Sequence, residues 1–255
     1  MIKNNMEPTK NTDDFIFGIR AVIEAIGSGK EIDKILIKQG LSGDLFKELF
    51  EKIREYQIPF QYVPIEKINR VSRKNHQGVL AFVSPVTFYD LENFLPSIFE
   101  AGRSPLILVL DQVTDVRNFG AIVRTAECAG VDAILIPEKG AARINADAVK
   151  TSAGALHLMP VCRTRDLKRS LVFLKESGLK ILAATEKAVL NYTQTDLRGP
   201  VAIIMGSEEY GIDQQILQLA DTPVKIPIFG KIESLNVSVA AGLLIYEAVR
   251  QRIQS

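Results

Sequence analysis

The residues best suited to chemistry stand in three short stretches of the C-terminal half. The first runs from Leu110 to Ala126 and carries Arg117, Asn118 and Arg124. There an apolar run ends, a polar loop crosses, and a helix begins near Asn118. Its free backbone N–H groups suit an anion such as an RNA phosphate. The second, from Val201 to Ile212, takes an apolar strand directly into Gly206, Ser207 and Glu208. A glycine at a strand end lets a ligand come close to the backbone, and Glu208 is a carboxylate fit to orient a polar group or balance a cation. The third, from Ile226 to Leu243, leaves a strand through a polar loop, where Ser234 or Asn236 can cap a long apolar helix. Each stretch also has an ordinary structural reading: solvated arginines on a capped helix, a tight turn with a solvated acidic pair, and a helix cap.

Other chemistries find little support. His76 and His157 are the only histidines, and neither has a partner at metal-ligand spacing, so no metal is expected. The Gly-x-Ser-x-Gly elbow of hydrolases is absent, as are the dinucleotide fingerprint and the P-loop lysine. Two basic runs, Arg70, Arg73 and Lys74 around His76, and Arg163 to Arg169, can hold phosphates or simply be solvated. Of the 255 residues 47% are hydrophobic and 24% charged, an ordinary globular balance, and the net charge of +1 confines any nucleic-acid surface to a local patch. Cys128 and Cys162 lie far apart without a pairing motif, which fits a reducing compartment. With a polar N-terminus and no apolar run of membrane-spanning length, the expectation is a cytoplasmic protein without a membrane partner.

The elements that must position these residues follow from hydrophobic periodicity. Residues 1–14 read as a disordered tail. A helix is expected over 17–26, a strand over 35–37, a helix over 41–56, a strand over 60–63, a helix over 65–71 and a strand over 79–83. These make a small α/β domain over 15–85. Pro96, Gly102 and Pro105 punctuate residues 86–104, which read as a linker with only a brief helical patch. From residue 105 the rhythm strengthens. Strands are expected over 106–110, 133–136, 180–184, 201–205 and 224–228, and helices over 119–129, 167–177 and 212–220. Continuous apolar strands alternating with helices predict a parallel sheet covered on both faces. The closing helix, 237–253, is apolar nearly all round through Val249, which predicts burial on more than one side, in its own core or against a second subunit.

Taken in order and spacing, the three stretches resemble the SpoU family of RNA ribose 2′-O-methyltransferases over residues 106–253. The matching pieces are Asn118, Gly120 and Arg124-Thr-Ala, then Gly206-Ser-Glu208, then Ile226-Pro and Ser234-Leu-Asn236-Val-Ser-Val-Ala. Residues 15–84 are similar to the family's small RNA-binding domain of the ribosomal-protein L-thirty type, through Phe17-Gly18-Ile-Arg20 and His76-Gln-Gly78. The combination is most similar to bacterial members that methylate a guanosine ribose in 23S ribosomal RNA. The same reaction on transfer RNA, or a non-catalytic RNA-binding role in ribosome assembly, are the alternatives. The sequence departs from the family where Asp115-Val116-Arg117 precedes Asn118 without a proline, and where Glu209-Tyr210 follows Glu208 without a glycine; both bear on substrate choice.

The resemblance implies a C-terminal domain knotted as a trefoil, S-adenosyl-L-methionine as cofactor, RNA and not DNA as substrate, and a homodimer. It implies contacts from Thr185, Gly206, Ile226 and Leu235 to the cofactor, and catalytic positions at Asn118, Arg124, Glu208, Ser234 and Asn236. A guanidinium stays protonated at ordinary pH. The role expected of Arg124 is therefore to hold phosphate and stabilise the developing alkoxide, while Glu208 and Asn236 fix loop geometry and hydrogen-bond the substrate.

Overall fold

The computed structural model describes residues 15–253, and the segment 1–14, expected as a disordered tail, lies outside them. The chain divides into two compact units between Pro85 and Val86. Among the described residues no helix is long and apolar enough to cross a membrane.

In the first unit β1 (Phe15–Phe17), α1 (Ile19–Gly27), β2 (Ile32–Lys38), α2 (Asp44–Glu55), β3 (Phe60–Val63), α3 (Ile65–Asn69) and β4 (Val79–Val83) follow one another. The sheet order is β1-β4-β2-β3, with β4 antiparallel to both neighbours and β3 parallel to β2. Val22 and Ile26 of α1 and Leu49 and Ile53 of α2 pack on Ile35 and Ile37 at one face, while Ile68 of α3 joins Leu36 and Leu80 at the other. The helix expected from residue 17 is preceded by a strand. Phe15-Ile16-Phe17 is a continuous apolar run, which periodicity cannot assign to helix or strand, and Gly18 at φ 90° turns the chain between the two.

In the second unit come β5 (Phe88–Tyr89), α4 (Leu91–Glu100), β6 (Leu106–Leu110), α5 (Val116–Cys128), β7 (Ala133–Pro137), α6 (Ala146–Thr151), β8 (Val161–Thr164) and α7 (Leu167–Glu176). They are followed by β9 (Lys180–Ala184), β10 (Leu190–Asn191), β11 (Val201–Met205), α8 (Gln214–Leu217), β12 (Thr222–Lys225) and α9 (Val237–Ile253). The eight strands form one sheet in the order β10-β12-β9-β11-β6-β7-β8-β5, and every pairing in it is parallel. Alternate residues of β6 feed two separate cores. Leu106, Leu108 and Leu110 face α5 and α9, while Ile107 and Val109 face α4 and α7. Both faces of the sheet are therefore dry, as the unbroken apolar strands predict.

The linker expected over 86–104 is instead part of this unit. Phe88 and Tyr89 pair with Val161 and Cys162 at the sheet edge, and Leu91, Leu95 and Ile98 of α4 are buried. Asp90 caps α4 by accepting the Asn93 N–H at 3.0 Å. Pro96 lies inside the helix and masked it, because a proline in that place is usually a breaker. The last expected strand, 224–228, ends at Lys225, which leaves Ile226 on the loop that follows. The helix expected over 212–220 is only the short α8.

The chain runs outward from β6 to β7 and β8 on one side of the sheet, then returns so that β11 lies directly beside β6. Ligands of open parallel sheets bind outside the carboxyl ends of the strands at such a reversal.

Candidate active site

The loops leaving β6 and β11 meet at that reversal, and their first contacts are structural. The N–H of Asp111 donates to Met205 O at 2.8 Å, and the buried Asp111 carboxylate accepts the Asp213 N–H at 2.7 Å. Burial pushes the Asp111 carboxyl above the ordinary range, against the Asp213 hydrogen bond that lowers it. Between them the β11 loop closes on itself. Ser207 and Gly211 exchange backbone hydrogen bonds of 3.0 Å, and Ser207 Oγ accepts the Tyr210 N–H at 3.0 Å. Gly206 is required by this closure, because a Cβ there would lie 2.2 Å from Gly211 C and 2.3 Å from Ile212 N. The chain's own backbone, not a ligand, fills the space that the missing side chain leaves.

Helix α5 starts at Val116, just before the expected position near Asn118. Asp115 is its N-cap and accepts the N–H groups of Arg117 at 2.7 Å and Asn118 at 3.1 Å. Its bond with the Arg117 guanidinium, helped by those two amides, holds the Asp115 carboxyl below the ordinary carboxylate range. With the cap supplied by Asp115, the side chain of Asn118 is released for other work. Gly120 allows α5 to lie against the end of α6, since a Cβ there would meet Thr151 Oγ1 at 2.1 Å.

Three residues that are 28 to 118 positions apart in pairs then converge. Glu208 Oε1 accepts from Asn118 Nδ2 at 3.0 Å, from Asn236 Nδ2 at 2.6 Å and from the Val237 N–H at 3.1 Å. Asn236 Nδ2 also donates to Asn118 Oδ1 at 3.0 Å, and Asn236 Oδ1 accepts the Ser238 N–H at 3.0 Å, capping α9. One carboxylate oxygen thus joins the first turn of α5, the loop after β11 and the start of α9. Glu208 and Asn236 are exposed and Asn118 is half-buried, so the cluster holds its groups at a surface where a substrate can reach them. Glu208 spends Oε1 on three donors, an arrangement that fixes geometry.

The other expected residues stand apart from this cluster. Arg124 is exposed and makes no side-chain hydrogen bond or ion pair among the described residues. Six residues of helix place it roughly 240° around α5 from Asn118. Ser234 is exposed and has no side-chain partner among the described residues, so Asn236 and not Ser234 is the cap of α9. Thr185 follows β9 and donates its N–H to Val224 O at 2.9 Å. Together Thr185, Gly206 and Ile226 lie just past the carboxyl ends of β9, β11 and β12, three adjacent strands. The backbone of residues 228–235 makes no hydrogen bond among the described residues, while Ile228 and Leu235 are 40% and 38% exposed. Unpaired N–H and C=O groups with partly open apolar side chains suit a ligand that has both a ring and polar edges.

The sequence singles out Asp115 and Tyr210 only as departures from the family pattern, and it gives Asp111 and Gln112 no role. Asp115 had a signal, being an acid just before a helix; Gln112, in the left-handed region at φ 58°, had none.

In the first unit, the loop before β4 is tied to α1 by Gln77 Oε1, which accepts the Ile19 N–H at 3.2 Å. His76 Nδ1 accepts the Gly78 N–H at 3.0 Å, so the ring proton lies on Nε2, which donates to Asn69 Oδ1 at 2.8 Å. The buried histidine shapes the loop, and Arg20, Arg70, Arg73 and Lys74 are all exposed around it.

Comparison with known proteins agrees with this geometry. Residues 105–246 match the SpoU rRNA methylase family, and residues 15–89 match a domain described as RNA 2′-O ribose methyltransferase substrate binding. A Bacillus subtilis protein named for the TrmH family of tRNA/rRNA methyltransferases, YacO, is 33% identical over 94% of this chain and 96% of its own length. Among solved structures, the SpoU methyltransferase AviRb from Streptomyces viridochromogenes in complex with AdoMet shares the fold, with a TM-score of 0.60, 24% identity and coverage of 94% and 91% of the two chains. A TrmH/SpoU tRNA-modifying enzyme of A. aeolicus is 31% identical with a TM-score of 0.55, covering 64% of this chain and 85% of its own. The chain belongs to the SpoU family of RNA methyltransferases, with a substrate-binding domain preceding its catalytic domain, and is an RNA 2′-O-ribose methyltransferase.

Proposed function

We propose that the chain transfers a methyl group to a guanosine ribose in 23S ribosomal RNA. The observation that carries the catalytic reading is the bonding of Asn118, Glu208 and Asn236 through one carboxylate oxygen. The methyl donor is S-adenosylmethionine, which supplies an activated methyl group on a sulfonium. The loops carrying Thr185, Gly206, Ile226 and Leu235 hold it, through the unpaired backbone and half-open apolar side chains described above. Gly206 contributes by letting its loop close.

What the protein must add is alignment of the ribose O2′ and an exit for its proton, which passes to solvent as O2′ takes the methyl and S-adenosylhomocysteine leaves. Asn118 and Asn236 hydrogen-bond the nucleotide, and Glu208 keeps both amides in register. Ser234 belongs to the same substrate edge. Arg124 stabilises the developing alkoxide. Its distance around α5 from Asn118 favours action across a dimer, on the site of a second subunit. The face of α9 supports that reading. Val239, Leu243 and Tyr246 are 51%, 38% and 49% exposed beside Thr125, around a cavity of about 660 Å³. Ala241, by contrast, is fully buried in the subunit's own core. The C-terminal segment is read as threaded in a trefoil knot, with the cofactor held by the knot's loops.

Residues 15–85 capture RNA through the exposed Arg20, Arg70, Arg73 and Lys74. A large structured RNA is favoured because the tRNA-modifying relative matches only 64% of this chain. Residues 86–255 then form the catalytic domain, at work in the cytoplasm. Incubation with S-adenosylmethionine carrying a labelled methyl group and separately purified ribosomal and transfer RNA tests the assignment. Label in 2′-O-methylguanosine of 23S RNA is expected. Label confined to transfer RNA moves the substrate, and RNA binding without label reduces the chain to an assembly factor.

A further inference from the structure

We propose that the cavity beside Glu208 seats the base of the nucleotide being methylated, with the ring of Tyr210 stacked on it. The inference rests on the reading of the chain as an RNA ribose methyltransferase and concerns the substrate side of the same site. The cavity measures about 280 Å³ and is lined by Gln112, Thr114, Asp115, Asn118, Glu209 and Tyr210, with Glu208 at its wall. It shares Asn118 and Glu208 with the polar cluster, yet none of Thr185, Gly206, Ile226 or Leu235 lines it. The cluster therefore has a second neighbour besides the cofactor loops.

Size and charge narrow the occupant. Sites for drug-sized ligands run from roughly 300 to 1,000 Å³, so this cavity has room for one ring system. Its lining includes three carboxylates, Asp115, Glu208 and Glu209, and no lysine, arginine or histidine. A phosphate has no cation to meet there. A neutral heterocycle with N–H donors does find acceptors, and guanine, with two adjacent N–H groups, matches a carboxylate better than the other bases. Because base and ribose share one glycosidic bond, a base in this cavity carries its O2′ to the Asn118 and Glu208 side.

Tyr210 supplies the stacking face. It is 74% exposed on a loop that the Ser207–Gly211 hydrogen bonds hold shut. Its hydroxyl is hydrogen-bonded to Glu209, an interaction that raises the phenol pKa. An exposed aromatic ring above a polar recess is how proteins take unstacked RNA bases. Gln112 lines the same cavity in a backbone conformation, φ 58°, that side chains seldom adopt, and it brings an amide able both to donate and to accept.

The test compares wild type, Tyr210→Ala and Tyr210→Phe on total bacterial RNA with labelled S-adenosylmethionine. RNA is kept below saturation, and cofactor affinity is measured in parallel by calorimetry. Tyr210→Ala should lose roughly 5- to 100-fold in kcat/KM for RNA, the worth of one base–aromatic stack. Its cofactor affinity should stay within about two-fold, and Tyr210→Phe should keep most of the activity. Unchanged kcat/KM in a folded Tyr210→Ala protein overturns the base pocket and leaves the methyltransferase reading standing. An equal loss of cofactor affinity assigns the ring to the cofactor and overturns it too. If the wild type itself labels no ribose, the functional reading fails and the pocket with it.

Discussion

Replacing Gly206 by alanine should separate folding from positioning. The added Cβ would lie 2.2 Å from Gly211 C, 2.3 Å from Ile212 N and 2.4 Å from Gly211 O, where ordinary contact begins at 3.4 Å. All three atoms are backbone, so no rotamer relieves the clash, and the far side of the loop must retreat by about 1 Å. Overpacking of this kind costs about 1–3 kcal/mol, which for a unit of this size lowers Tm by roughly 3–10 °C. The functional loss should be larger. The displaced segment lies between Glu208 and Asp213, the loop's anchor on Asp111, so Glu208 leaves its place between Asn118 and Asn236. A misplacement of about 1 Å at a reacting centre is worth on the order of 100-fold in rate. Steady-state methyl transfer and a thermal melt on the same preparation measure both effects. A Gly206→Ala protein with wild-type kcat/KM and wild-type Tm would refute the claim that this loop's closure sets the site.

Arg124→Ala should lower kcat at least about 100-fold, the loss typical of one transition-state donor, with cofactor affinity retained; an equal fall in affinity by calorimetry contradicts its placement on the RNA side. Leu243→Glu puts a charge on the exposed face of α9 and should shift a dimer toward monomer in sedimentation at micromolar concentration, with activity falling in step. A folded, fully dimeric Leu243→Glu places the interface elsewhere. The bond from Arg250 holds the Glu247 carboxyl below its ordinary 4.5, so its ionised form adds stability above that value and loses it as pH falls through the lowered one. Melting of the wild type should therefore drop more steeply than that of Glu247→Gln between about pH 5 and 3, and parallel curves would show the pair to be idle.

The central strands were legible because burial on both faces leaves a plain signal: 106–110, 180–184 and 201–205 coincide with β6, β9 and β11. The three polar stretches were legible for a related reason, since each follows a recognisable apolar run, and the structure brings Asn118, Glu208 and Asn236 together. What failed has identifiable physical causes. Pro96 disguised α4, and the apolar run Phe15-Ile16-Phe17 merged with the helix beyond it. Strands away from the sheet centre such as β8, with Arg163 and Thr164 half-buried, lack the unbroken apolar run of a central strand. Gly206 was read as room for a ligand, and only the folded loop shows its own backbone in that space. The apolar pattern of the closing helix likewise fits a core or an interface, and only its packing on α5 shows that Ala241 is buried in the subunit's own core. The buried acceptor role of Asp111 depends on Asp213, 102 residues away, a separation over which local pattern carries no information.

The cluster at the ends of β6 and β11 is expected to govern methyl transfer to a ribose hydroxyl. Glu208→Ala removes the one oxygen that joins Asn118, Asn236 and the start of α9. Its transfer of labelled methyl from S-adenosylmethionine to ribosomal RNA should be measured beside the wild type, and the RNA then digested to nucleosides. Wild-type label on ribose O2′, with a loss of about 100-fold or more in the folded mutant, is the predicted result. Label on a base, or a Glu208→Ala protein as active as the wild type, would contradict it.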